Sequence, residues 1–118
     1  MRIPDNSNIV IFGASGDLSF RKLIPALYQL YVSNQLPERF FILGVSRSDY
    51  SSESYREALS LALIEHSDAS ADTSRTFLQH VYYLAINTSD ASDYAKLGVK
   101  LNELYEQFHT PHNTLYYL

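Results

Sequence analysis

At 118 residues, the chain has the size of one domain, or part of one, with a buried core of its own. A formal net charge of −4 argues against nucleic acid as the main partner, because such domains present a basic surface. The lack of cysteine excludes disulfide frameworks and thiolate metal sites, and no apolar run is long enough to cross a bilayer. The opening residues Met1 to Asn6 lack the apolar core of a signal peptide, so a soluble, cytoplasmic protein is expected.

Asn8-Ile9-Val10-Ile11-Phe12 is a continuous apolar run that ends at Gly13, as a strand buried on both faces does in a parallel sheet. A short helical turn is expected over Asp17 to Lys22. A longer helix follows, with Pro25 in its first turn or at a kink and with Leu23, Ala26, Leu27, Leu30 and Tyr31 on one stripe. Phe40 to Val45 reads as the second strand. Ser51 or Ser52 then caps a helix whose inner face carries Tyr55, Ala58, Leu59, Ala62 and Leu63. The polar stretch His66 to Ser74 reads as a surface loop, followed by a short helix near Thr76 to His80. Val81 to Ile86 is the third strand and Asn87 to Asp90 a turn. Tyr94, Leu97, Leu101, Leu104, Tyr105 and Phe108 mark the inner face of a further helix. Thr114 to Leu118 is a fourth strand. The order β-α-β-α-β-α-β predicts a Rossmann-type α/β fold, with a parallel sheet and helices on both faces. An apolar strand at the end implies an incomplete domain from a longer protein.

In such a sheet the first strand-to-helix turn is the place for a ligand. Here it reads Gly13-Ala14-Ser15-Gly16-Asp17-Leu18-Ser19. Glycines there let the backbone turn sharply and bring a pyrophosphate close to the amides at the helix start. The bare G-x-x-G would equally suit an ordinary tight turn. Its setting, after a buried strand and before an amphipathic helix, favours phosphate binding. The second strand ends in Gly44-Val45-Ser46-Arg47-Ser48, with no acid before Asp49. An NAD site places a carboxylate there for the ribose 2′-hydroxyl, whereas an arginine offers a fixed fork of donors to a 2′-phosphate. Arg47, with Ser46 and Ser48 as further donors, therefore points to NADP.

The run Ile11-Phe12-Gly13-Ala14-Ser15-Gly16-Asp17-Leu18, followed by Arg21-Lys22-Leu23-Ile24-Pro25-Ala26-Leu27-Tyr28, resembles the opening of the glucose-6-phosphate dehydrogenases. The similarity continues through Leu36-Pro37, Leu43 to Ser48 and Leu115 to Leu118. The resemblance implies that Gly13, Ala14, Ser15, Gly16, Asp17, Leu18, Ser19 and Phe20 form an NADP phosphate loop, with Arg47 on the 2′-phosphate. It also implies that Lys22 lies near both cofactor and sugar phosphate; Arg21 should point elsewhere, since adjacent helical residues diverge by about 100°. Ser19 and Phe20 stand where the family often has basic residues. The family's catalytic histidine and main glucose 6-phosphate ligands have no counterpart here, so residues 1–118 are expected to be the cofactor domain alone. The full-length protein would be a homo-oligomer of the pentose phosphate pathway.

His109 and His112 stand three apart, a spacing seen in metal sites, but no third ligand cluster accompanies them and both read as loop histidines. Asp68, Asp72, Asp90 and Asp93 read as helix caps or solvated carboxylates. No serine occupies a nucleophile elbow. The rival readings are another NADP-dependent oxidoreductase and a stand-alone dinucleotide-sensing module without catalysis.

Overall fold

A parallel sheet ordered β3-β2-β1-β4 forms the frame of the chain. The computed structural model describes residues 7–67 and 70–117. The strands are β1 (Asn8–Phe12), β2 (Ile42–Ser46), β3 (Val81–Ala85) and β4 (Thr114–Tyr117). A π-helical turn (Ser19–Leu23) and α1 (Ile24–Val32) link β1 to β2. Then α2 (Ser52–His66) and α3 (Ala71–Leu78) lead to β3, and α4 (Ala91–Phe108) leads to β4. The chain steps outward from β1 to β3, and α4 carries it back to the other side of β1. That reversal makes the gap between β1 and β4 a topological switch point, where open α/β sheets hold their ligands. This is the Rossmann-type α/β fold that the pattern predicts.

The period-2 alternation of strand side chains builds two cores. Ile9, Ile11, Ile42, Val81 and Tyr83 pack beneath α1, α2 and α3, where Leu27, Tyr28, Leu59, Leu63 and Phe77 are buried. Val10, Leu43 and Val45 face Leu97, Leu101, Leu104 and Tyr105 of α4. The capping residues follow the sequence closely. Ser51 accepts from the Ser54 amide while Ser54 reaches back to the Ser51 amide, and Asp90 accepts from the Ser92 and Asp93 amides.

Several expectations are corrected. The loop proposed over 66–74 is shorter: α2 runs to His66, and Ser70 caps α3 by accepting from the Thr73 amide, so that helix begins at Ala71 rather than near Thr76. The Ala-Asp-Thr-Ser composition that suggests a loop is here a capped first turn. In α1 Ile24, Pro25, Leu27 and Tyr28 are buried, Leu30, Tyr31 and the preceding Leu23 pack partly buried against the same core, and Ala26 is only half-buried. Tyr94 is exposed, one turn short of the residues of α4 that reach the sheet. Phe40 and Phe41 are buried ahead of the β2 ladder, which begins at Ile42. Asp93 and Asp72 sit in the first turns of α4 and α3. Asp68 and the strand end at Leu118 lie outside the described residues.

Candidate functional site

The carboxyl edge of the sheet gathers the turn after β1 and the loop after β2. Gly13 adopts a φ of +72°, in the left-handed region that glycine enters without strain, and open space lies where its Cβ would stand. The Gly13 and Ala14 amides donate to the Val45 carbonyl at 2.9 and 3.3 Å, and the Gly16 amide closes the turn on the Gly13 carbonyl at 2.9 Å. The Ser19 hydroxyl donates to that same carbonyl at 3.3 Å. Beyond Gly16 the chain enters its first helical turn, where leading amides have no intrahelical acceptor. Gly13, Gly16, Asp17 and Leu18 are exposed, whereas Ala14 and Ser19 are buried and Phe20 packs on Tyr55 at a centroid distance of 5.9 Å. The exposed part of the loop thus carries both glycines, beside the side chains of Asp17 and Leu18. Exposed glycine backbone at a strand-to-helix turn suits a pyrophosphate.

Ser15 joins the two loops. Its hydroxyl lies 2.7 Å from the Ser46 hydroxyl and 2.8 Å from that of Ser48. The phenol oxygen of Tyr83 lies 2.7 Å from Ser46 Oγ and donates to the Ser48 carbonyl at 2.7 Å. Arg47 lies between those two serines in sequence and is exposed, and it makes no ion pair or hydrogen bond with any described residue. No carboxylate stands between Val45 and Asp49. The Tyr55 hydroxyl donates to the Ala14 carbonyl at 2.9 Å from beneath the loop. Burial, reinforced by the neighbouring phenols Tyr83 and Tyr50, pushes the Tyr55 phenol well above the ordinary range, so it stays a neutral donor.

Lys22 and Arg21 diverge. Arg21 bonds to Asp17 at 2.8 Å on the outer surface. Lys22 lines a cleft of about 400 Å³ with Phe12, Gly13, Leu18, Ala26 and Tyr117, which opens over the switch point between β1 and β4. A larger cleft of about 900 Å³ lies at the amino edge, among Tyr28, Tyr31, Phe40 and His80. Size does not make it the better candidate. His80 bonds through Nδ1 to the Phe40 carbonyl at 2.9 Å, and its ring stacks on Phe40 at 4.1 Å, so its chemistry is spent on the fold. His112 stacks on Tyr105 at 4.2 Å, and no cluster of metal-ligating side chains occurs among the described residues.

Residues 10–118 match the family described as glucose-6-phosphate dehydrogenase, NAD binding domain. The chain belongs to that family. It is 50% identical over 114 residues to a glucose-6-phosphate 1-dehydrogenase of Aggregatibacter actinomycetemcomitans, covering 97% of the chain and 23% of the relative. The namesake of Bacillus subtilis is 36% identical over 110 residues, covering 93% of the chain and 22% of the relative. A solved glucose-6-phosphate dehydrogenase in complex with its substrate glucose-6-phosphate superposes with a TM-score of 0.84 at 32% identity, over 100% of the chain and 25% of that structure. The chain therefore spans about a quarter of the length of the glucose-6-phosphate dehydrogenases it matches. Among the described residues, no helix is long and apolar enough to cross a membrane.

Within this dehydrogenase domain, three participants at the edge escape a reading of the sequence. Gly44 lies in a buried strand, and a Cβ there would come within 2.8 Å of Ala14 Cβ and 3.2 Å of the Tyr55 ring. A glycine interrupting an apolar strand is a signal for such close approach. The hydroxyls of Tyr55 and Tyr83 gave no such signal, since each meets a loop more than thirty residues away.

Proposed function

We propose that this chain is the NADP-binding part of a longer glucose-6-phosphate 1-dehydrogenase, cytoplasmic and homo-oligomeric, which oxidises glucose 6-phosphate to 6-phosphogluconolactone. The observation that carries the reading is Arg47: a guanidinium with no partner among the described residues, flanked by serines tied to the glycine turn, on a strand end without a carboxylate. A 2′-phosphate needs a permanent cation, and a ribose 2′-hydroxyl needs an acceptor. The cation is what this edge offers.

In this reading the turn Gly13 to Phe20 serves the pyrophosphate, through the backbone of its exposed residues, with Ala14 and Phe20 as inward anchors. Asp17 ties down Arg21. Lys22 presents its ammonium at the cleft over the switch point, where the sugar phosphate and the reacting end of the cofactor meet. Bound NADP supplies the hydride acceptor. The general base and main substrate ligands belong to other parts of the enzyme.

Titrating the full-length protein with NADP and NAD tests this. Arg47→Ala should weaken NADP by about tenfold or more, the loss of one charge-assisted pair, and change NAD by less than about twofold. Equal losses for both cofactors would overturn NADP recognition by Arg47.

A further inference from the structure

Tyr83 carries a phenol that the dinucleotide reading does not use, 5% exposed and aimed at the loop that bears Arg47. Four hydroxyls meet there, and the count of hydrogens fixes who donates. A phenol has one hydrogen, and that of Tyr83 goes to the Ser48 carbonyl at 2.7 Å. In the 2.7 Å contact between Ser46 Oγ and the phenol oxygen, Ser46 must therefore donate. With its hydrogen spent, Ser46 accepts from Ser15 at 2.7 Å, and Ser15 in turn accepts from Ser48 at 2.8 Å. The result is a closed, one-way ring that runs Tyr83 to the Ser48 carbonyl and Ser48 hydroxyl to Ser15, then Ser46, then back to Tyr83. The Ser48 amide adds a longer bond to Ser46 Oγ at 3.4 Å.

The phenol is itself rigidly held. The Tyr83 amide donates to Ser52 Oγ at 2.9 Å, and the Tyr50 and Tyr55 rings lie 5.5 and 4.7 Å from its ring. The glycine turn has its own supports: the Gly13 and Ala14 amides bonded to Val45, and the Tyr55 hydroxyl bonded to Ala14. Two buried tyrosines thus brace two different loops, Tyr55 the glycine turn and Tyr83 the segment 46–48.

We propose that Tyr83 is a specificity-determining positioning residue, whose hydroxyl holds Ser46 to Ser48 in the shape that presents Arg47 to a 2′-phosphate. This rests on the reading of Arg47 given above. A hydrogen bond to a pre-formed loop raises affinity by removing the cost of ordering it on binding. The gain goes only to a ligand that uses that loop.

The test is calorimetric titration of the full-length protein with NADP, NAD and 2′,5′-ADP, the last carrying the 2′-phosphate without the nicotinamide. Tyr83→Phe keeps the ring stack and removes only the hydroxyl. It should weaken NADP and 2′,5′-ADP about fivefold and leave NAD within about 1.5-fold. Ser46→Ala opens the same ring from its half-buried side and should give a similar selective loss. The double variant should be little worse than the single ones, because both break one network. Tyr50→Phe, which removes a hydroxyl outside the ring, should change neither cofactor. Equal weakening of NADP and NAD in Tyr83→Phe would make Tyr83 a packing residue and overturn the proposal, as would no change. If Tyr83→Phe fails to fold, Ser46→Ala decides by the same criterion. Arg47→Ala separates the two levels. Loss of selectivity there without loss in Tyr83→Phe defeats the positioning role alone, and unchanged selectivity in Arg47→Ala defeats the reading of Arg47 on which it rests.

Discussion

The two edges of the sheet spend their polar groups in opposite ways. At the amino edge, Asn8 is fully buried, and its amide donates to Thr110 Oγ1 at 3.1 Å and to the carbonyls of Pro111 and Asn113 at 3.2 and 3.3 Å. Its oxygen accepts from the Phe41 amide at 3.1 Å, so one side chain stitches the starts of β1 and β2 to the loop before β4. His80 is likewise committed to the Phe40 carbonyl. At the carboxyl edge, Arg47 has no partner among the described residues, and the hydroxyl ring beside it passes through exposed Ser48. Saturated polar groups hold a fold together. Polar groups with capacity to spare are free to meet a ligand. The larger cleft lies at the amino edge, where Asn8 and His80 are both committed to the fold.

If that contrast is right, the largest stability loss should come from the amino edge without touching cofactor choice. Asn8→Ala leaves the Phe41 amide, Thr110 Oγ1 and the Pro111 carbonyl without the Asn8 side chain, while the Asn113 carbonyl keeps the Asn8 backbone amide, a cost of about 3 kcal/mol in chemical denaturation. The ratio of NADP to NAD affinity in the folded protein should not move. A shift in that ratio would show that the two edges are coupled.

Gly44→Ala should do damage of a different kind. The added Cβ falls 2.8 Å from Ala14 Cβ, so the glycine turn must move. Overpacking of this sort costs about 2 kcal/mol, and here it should weaken NADP and NAD together. Selective loss of NADP alone would mean that the strain is absorbed by the segment 46–48 instead.

The smallest effect concerns Asp90, a carboxylate at the functional edge that behaves as the amino edge does. Hydrogen bonds from the Ser92 hydroxyl and the Ser92 and Asp93 amides hold its carboxyl below the ordinary range. A depressed value in the folded state means that the stabilisation is present above the ordinary carboxylate range and is lost as pH falls through the folded value. Asp90→Asn should remove that acid-side slope at the start of α4, read by amide exchange of Asp93 and Tyr94, and leave cofactor affinity unchanged. An altered cofactor affinity would move Asp90 into the site.

The frame and half of the site are legible in the sequence because their signals are local. A buried run ending at Gly13 gives β1, an apolar run interrupted by Gly44 gives β2, Ser51 and Asp90 announce their helices, and Arg47 on a strand end without an acid is visible before the fold is known. The turn at Ser19–Leu23 is not legible, since a π-turn has no sequence code of its own. Nor are the phenol contacts, because Tyr55 and Tyr83 read as core aromatics and only tertiary pairing shows where their hydroxyls end. Ser70 is a residue type that caps helices, but it stands in a run of small polar residues that has the composition of a loop. Asn8, a polar residue opening an apolar run, is a signal that composition alone does not interpret.

The most direct test of the division between edges is residue-resolved NMR of the backbone amides as NADP is added. The account predicts shift changes at Gly13 to Ser19 and Ser46 to Ser48, with the amides of Tyr31, Phe41, His80 and Thr110 unmoved. Saturable changes centred on the amino-edge cleft, with a silent glycine turn, would contradict it.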